Sequence, residues 1–168
     1  MKTSDLEKLK NRWKRDVINM LVLGLNSGES IRTLIGQCSQ AGNCHLEFET
    51  DLRGIDLSFQ NLRGPWHHEQ GLRSRKGVDL SGMDLTGADL SWAILPRASL
   101  KGCILQYASL KDAELIMADL SGADLSHADL TGAWLLDTKF TGAVVTPGQL
   151  KTRRNLGQMD FDYHAFEI

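Results

Sequence analysis

The sequence predicts a mainly β fold, a solenoid of short extended pieces stacked in coils and closed by helices at both ends. Three observations predict it. A small residue, an acidic or polar residue and a leucine recur every five positions through residues 77–145. Glycine recurs at the boundaries between these units. Both flanks drop the five-residue period and take up helical spacing instead.

A period of five suits neither regular element alone. On a helix a step of five turns about 500°, so a leucine at every fifth place spirals around all faces. On a straight strand an odd step sends successive leucines to opposite sides. A chain that bends once in every five residues resolves the conflict. In "GADLS", Gly122–Ser126, Ala123 and Leu125 point one way on a short extended piece and Asp124 points the other. Ser126 and His127 then make a corner, and Gly82, Gly87, Gly122 and Gly132 occupy the corner place that tolerates positive φ. Each unit becomes one side of a polygon, with leucine inside and aspartate in water.

The register holds without a slip from Leu80 through every fifth residue to Leu135, and continues at Phe140 and Val145. The small residue two places earlier is usually alanine, from Ala88 to Ala143, with Cys103 as a buried apolar filler in the same ladder. An earlier stretch, "DLRGIDLSFQNL", repeats the pattern at Leu52, Leu57 and Leu62. Over residues 50–62 and 77–145 the chain resembles the pentapeptide-repeat family, whose unit is a small residue, Asp or Asn, Leu and two variable positions. That resemblance implies a right-handed, four-sided β-helix with four units to a coil. The expected organisation is an N-terminal helical cap over 1–49, the β-helix over 50–145 with an inserted loop at about 64–77, and a C-terminal cap helix with an apolar tail over 146–168.

Leu62 and Leu80 are eighteen apart, which is not a multiple of five. We expect about eight inserted residues, Leu52 stacked beneath Leu80, and a loop that carries Trp66, His67, His68, Arg73, Arg75 and Lys76.

A solenoid exposes apolar cross-section and unpaired edges at its ends, so it needs caps. Ser4 and Glu7 have capping-box spacing, and Leu6, Leu9, Trp13, Val17, Met20 and Leu21 follow at helical intervals. Gly24 and "NSG" should end that helix, with a shorter one at about 29–37. At the other end Thr146, Pro147 and Gln149 read as N-cap, first helical residue and capping-box partner of a helix running to about Asn155. The apolar tail over 158–168 should fold back on the solenoid or join a second chain.

The bulk figures narrow the function classes. A net charge of −2 favours neither nucleic acid nor membrane as partner, and the longest early apolar run, Val17–Leu25, is about half a bilayer span. Acidic residues precede it and no A-x-A-like site follows, so the chain is expected in the cytoplasm. Cys38 and Cys44 could close the small loop "CSQAGNC" as a disulfide, but in a reducing cytosol two free thiols are expected. No glycine-rich phosphate loop or H-E-x-x-H motif occurs, and the histidines lack zinc-ligand spacing. No catalytic residue, metal or cofactor is expected, and the chain is read as no enzyme.

The outward positions carry the functional signal. With twenty residues to a coil, one side stacks Ile94 and Pro96, then Ile116 and Met117, then Trp134 and Leu136, where the other sides show mostly Asp, Ser, Thr and Lys. An apolar stripe on a face that should be wet marks a contact surface. Its occupant could be the chain's own tail or N-terminal helix, a second copy in a homodimer, or another protein. The expected role is a non-catalytic interaction or scaffold module. The alternative is a DNA-mimic regulator of a topoisomerase, which the family resemblance brings in. It is disfavoured by charge: residues 77–145 hold nine acids against four bases, whereas DNA carries a charge every ~1.7 Å.

Overall fold

The computed structural model describes residues 3–40, 51–64, 66–69 and 72–150. Its body is the expected mainly β solenoid. Parallel backbone bridges join residues twenty apart, as in Asp79–Ser99–Asp119–Lys139, so each coil has four five-residue sides. Side 1 holds Leu80, Leu100, Leu120 and Phe140. Side 2 holds Leu52, Leu85, Leu105, Leu125 and Val145. Side 3 holds Leu57, Leu90, Leu110 and Leu130, and side 4 holds Leu62, Leu95, Leu115 and Leu135. These interior residues, and the small residues two places before them, are buried in one continuous core. Cys103 is among them; its thiol donates to the Leu80 carbonyl at 3.0 Å, and burial pushes it up to about 11.

Each side is locked above and below by main-chain hydrogen bonds, such as Leu105 N–H to Asp124 O at 2.7 Å and Asp124 N–H to Cys103 O at 2.9 Å. The outward aspartates do more than face water. At Asp56, Asp79, Asp84, Asp89, Asp119, Asp124 and Asp129, Oδ1 accepts the N–H two residues on at 2.9–3.0 Å, closing the corner. The second corner residue has positive φ at every turn, and only half the time is it glycine.

The first coil corrects the expected register. Asp51 pairs with Asp84, Asp56 with Asp89 and Asn61 with Ile94, so Leu52 lies beneath Leu85 and not beneath Leu80. The offset is thirty-three residues rather than twenty, an insertion of thirteen. The extra chain leaves at the corner between sides 4 and 1 as a hairpin, β1 (Trp66–Glu69) and β2 (Leu72–Arg75). Among the described residues, side 1 therefore has no bridge partner beneath Asp79.

The N-terminal cap contains α1 (Thr3–Lys10), α2 (Arg15–Ser27) and α3 (Ile31–Gln40). The single first helix expected from the spacing is broken over residues 11–14, where two side chains reach the first coil. Arg12 pairs with the Asp51 carboxylate, and Trp13 Nε1–H donates to Arg53 O at 2.8 Å. Because α1 starts at Thr3, Ser4 stands inside the helix and not at its N-cap. Gly28, in the left-handed region at φ 96°, ends α2 as the "NSG" signal suggests. Gly24 lies within α2, where a Cβ would meet Leu34 Cδ2 at 2.4 Å; its absence lets α3 pack close.

The C-terminal cap begins as expected. Thr146 N–H donates to Gln149 Oε1 at 2.8 Å at the start of α4 (Pro147–Leu150). Gln149 Nε2 also donates to the carbonyls of Leu125 and Ala128, and Leu150 is buried, so this turn covers the last coil. The expected continuation to Asn155 and the apolar tail lie outside the described residues. Cys38 is disulfide-bonded, which corrects the free-thiol reading; Cys44, the remaining cysteine besides free Cys103, lies outside the described residues.

Candidate functional site

Side 4 departs from the others at its outward positions. Where they mostly carry aspartate or serine, it stacks Asn61, Ile94, Glu114 and Trp134. Ile94 and Trp134 cannot close their corners with a carboxylate, so side 4 gives up hydrogen bonds that elsewhere contribute ~1 kcal/mol each. Pro96, two residues after Ile94, has no N–H to satisfy.

The structure brings the six stripe residues together. Trp134 is 39% and Met117 44% exposed, while Ile94, Pro96, Ile116 and Leu136 are partly covered by their neighbours. Two shallow grooves lie on this face. One, of about 210 Å3, is lined by Pro96, Arg97, Glu114, Ile116 and Met117. The other, of about 250 Å3, is lined by Trp92, Ile94, Asp112, Glu114 and Trp134. Glu114 belongs to both. Its carboxylate stands 3.8 Å from Arg63 Nη2, beyond hydrogen-bond reach.

Of the expected coverings, the N-terminal helices sit elsewhere. Their contacts run to Asp51 and Arg53, and Asn26 Nδ2 donates to Asn61 O at the foot of side 4. The described helices thus border the stripe and leave Trp134 and Met117 open.

The hairpin, expected as a separate feature, rises from the same corner. Gly64 and Gly77 close its base: a Cβ on Gly64 would sit 2.0 Å from Lys76 O, and one on Gly77 would sit 2.0 Å from Arg97 O. Gly77 therefore lies against the main chain of Arg97, next to Pro96. The hairpin backbone pairs Trp66 with Arg75, His67 with Ser74 and His68 with Arg73. The loop candidates and the stripe share one corner of the solenoid.

Three exposed apolar residues of the solenoid escaped the sequence reading. Phe59 is 71% exposed and stacks on Trp92 at 6.2 Å between centroids, extending side 4 around its other corner. Its signal was present, a large apolar residue at a corner position, but the misplaced first coil hid its partner. Ile104 and Val144 are exposed on side 2, separated there by Asp124. The corner beyond them carries Tyr107 stacked on His127 at 4.8 Å.

Trp92 and Met117 are held at φ 60° and 59°. Bulky residues are unfavourable in this left-handed region, and glycine fills the same corner place at Gly82, Gly122 and Gly132. Side 4 is thus bordered by large apolar side chains at strained positions.

The carboxylates of the polar sides are ordinary structural acids. Burial raises Asp79, Asp119 and Asp124, but hydrogen bonds from Ser81, Ser121 and Ser126 outweigh it and leave each below the usual value. Asp129 is lowered chiefly by its bond from Thr131. Among the described residues no group of three His, Cys, Asp or Glu could hold a metal ion, and no helix is long and apolar enough to cross a membrane.

The family model of pentapeptide repeats matches residues 76–102 and 103–142, in eight copies. No curated protein matches the chain. Among solved structures, a trypsin-treated variant of QnrB1, a plasmid-mediated fluoroquinolone resistance protein, aligns at TM-score 0.52 and 18% identity over 68% of this chain and 51% of its own. Full-length QnrB1 aligns at 0.50 and 16% identity, over 67% and 63%. HetL, a pentapeptide-repeat protein involved in heterocyst differentiation regulation in the cyanobacterium Nostoc sp. strain PCC 7120, is 33% identical over 55% of this chain and 48% of its own, at TM-score 0.35. The chain spans about half the length of the first two of these relatives, QnrB1 in its trypsin-treated form and HetL.

Proposed function

We propose that this chain, a pentapeptide-repeat protein, is a non-catalytic interaction module whose partner docks on side 4. The observation that carries this is the exchange made there. The outward place that elsewhere often holds a corner-closing aspartate holds Ile94 and Trp134, bordered by Trp92, Ile116 and Met117. Solvent gives no reason for that exchange, while a protein partner does, because buried aromatic and aliphatic anchors dominate such contacts. The rigid ladder holds these anchors in place before binding, which limits the ordering cost of association.

A topoisomerase-binding DNA mimic fits the surface less well. Side 2 reads Asp51, Asp84, Ile104, Asp124, Val144 up its outward column, and Asp51 is buried against Arg12 and Arg53. The remaining acids, Asp84 and Asp124, are two coils apart, about 10 Å at the usual ~4.8 Å strand spacing, against one DNA charge per ~1.7 Å.

The test is site-specific photo-crosslinking in the native cell, with the photoreactive residue at position 117 or 134 and, as reference, at Lys101 on side 1. A discrete adduct from the first two and none from the third supports the reading. Equal adducts from all three positions contradict it.

A further inference from the structure

We propose that the partner on side 4 is a second copy of this chain, turned end for end about a twofold axis that passes Met117; this rests on side 4 being the docking face. The corner between sides 4 and 1 carries the pattern that selects it. Arg97, Met117 and Asp137 are twenty residues apart and stand in one column, tied by main-chain bonds from Arg97 N–H to Ile116 O and from Met117 N–H to Leu136 O, both at 2.8 Å. They share one backbone conformation, at φ 58°, 59° and 55°, so their Cα–Cβ bonds leave the corner in the same direction, and all three residues are exposed. The column reads cation, apolar residue, anion up one edge of the rod, with Met117 midway.

Such a column complements itself only when reversed. A twofold axis along the Met117 rung, in the plane of contact, sets Met117 against its own copy and Arg97 against Asp137 of the second copy. The symmetry makes that charge pair twice. A parallel arrangement would set Arg97 on Arg97 and Asp137 on Asp137, and juxtaposed like charges cost binding energy. The adjoining column, Pro96, Ile116 and Leu136, is apolar throughout and meets itself under the same reversal, while Ile94 meets Trp134 of the second copy. A second copy supplies this reversed pattern by symmetry, whereas an unrelated partner must match it independently. Among the described residues the ion pairs of Arg12, Arg53, Arg63 and Lys101 go to Asp51, Asp84, Glu114 and Asp119, so none of them engages Arg97 or Asp137. Glu114 lies at the level of the axis, and Arg63 Nη2 of its own chain, 3.8 Å away, counters its charge. Gly77, at the base of the hairpin, lies one coil beneath Arg97, outside the three paired rungs. Three rungs of one face make a small contact of the weak, transient class, so the dimer forms at high chain concentration.

The test is sedimentation velocity on the full chain over a wide concentration range, with Arg97→Glu, Asp137→Arg and the double variant, after their melting temperatures are shown to match the parent. The parent should pass from monomer to dimer as concentration rises. Either single reversal sets like charges together at both symmetry-related pairs and should raise the dimer dissociation constant about tenfold or more. The double variant restores opposite charges and should dimerise like the parent. An equimolar mixture of the two single variants should also dimerise, because each supplies the charge that the other needs. A parent that stays monomeric, a dimer that tolerates the single reversals, or single variants that stay apart when mixed overturns the assignment. A monomeric parent together with a position-117 or position-134 adduct at a mass other than twice the chain would keep side 4 as the docking face and remove only the second copy. Equal adducts from side 4 and Lys101 would remove the docking face itself, and this inference with it.

Discussion

Trp134 and Glu114 face each other across adjacent coils as a parallel backbone pair, with Leu115 N–H donating to Trp134 O and Trp134 N–H to Ala113 O, both at 2.9 Å. The tryptophan is therefore built into a regular rung with its side chain directed outward, and Leu115 and Leu135 beside it are fully buried. Inward and outward residues of one rung should separate cleanly under mutation.

Leu115→Ala should destabilise the fold by about 2–5 kcal/mol, the range for emptying a packed leucine site. Trp134→Ser should change stability by no more than about 1 kcal/mol, as an exposed substitution does. Chemical denaturation of both variants checks this. A Trp134→Ser variant as unstable as Leu115→Ala would mean that Trp134 serves the fold.

Met117 sits at φ 59° in a corner where Gly122 and Gly132 serve the equivalent turns. Left-handed backbone costs a residue with a Cβ ~1–2 kcal/mol, and glycine loses ~0.5–1 kcal/mol of that advantage through the flexibility of its unfolded chain. Met117→Gly is thus expected to raise stability slightly while it weakens partner binding. Urea melts and binding to the crosslinked partner read the two effects. A destabilised variant would contradict the strain.

Asp51 is almost fully buried and joins the helical cap to the first coil through Arg12 and Arg53. Burial raises its pKa, but the bonds from the two guanidinium groups outweigh this and hold the carboxyl well below the usual range. A depressed folded value stabilises the protein above the unfolded pKa, and that contribution is lost as pH falls through the folded one. Asp79, Asp119, Asp124 and Asp129 act in the same direction. The melting temperature should hold at neutral pH and fall below about pH 4. Asp51→Asn should cost about 2–3 kcal/mol at pH 7, the scale of hydrogen bonds to charged groups. The gap to the parent should narrow from about pH 4 downward. A gap that stays constant to the acid limit would show that the Asp51 charge contributes nothing.

Cys103 is buried and free, and Cys38 is oxidised. The native protein should therefore present no fast-reacting thiol from either residue. Denaturation without reductant should release Cys103 alone of the two, and reductant should add Cys38. Alkylation followed by mass spectrometry reads this. Labelling of Cys38 before reduction would contradict its oxidised state. Disulfides persist in oxidising compartments, so the same labelling on protein quenched directly in cells tests the cytoplasmic location proposed from the sequence.

Much of this was legible in the sequence. The interior ladder from Leu80 to Leu135 and the Thr146–Gln149 capping box follow from local spacing, and each stands where expected. The stripe from Ile94 to Trp134 was legible because a twenty-residue coil converts distance along the chain into stacking. The first coil was not. The period does not say how long an excursion is, and only the meeting of Gly64 with Gly77 reveals that thirteen residues leave and return at one corner. The break between α1 and α2 was hidden for a related reason. Helical spacing continues through Trp13, and the interruption comes from Asp51 and Arg53, some forty residues away. That Asp112 and Glu114 line the groove beside Trp92 needed the structure too.

The most direct test of side 4 as the docking face is a paired affinity measurement with the partner identified by crosslinking. Ile116→Ser/Trp134→Ser and, as reference, Lys101→Ser/Lys139→Ser on side 1 would be compared with the parent by isothermal titration calorimetry, after their melting temperatures are shown to agree. Side-4 replacement should weaken binding by about 2 kcal/mol or more, the scale of an interface hot spot, and side-1 replacement should leave it unchanged. Equal affinity of the Ile116→Ser/Trp134→Ser variant and the parent would contradict the assignment of side 4.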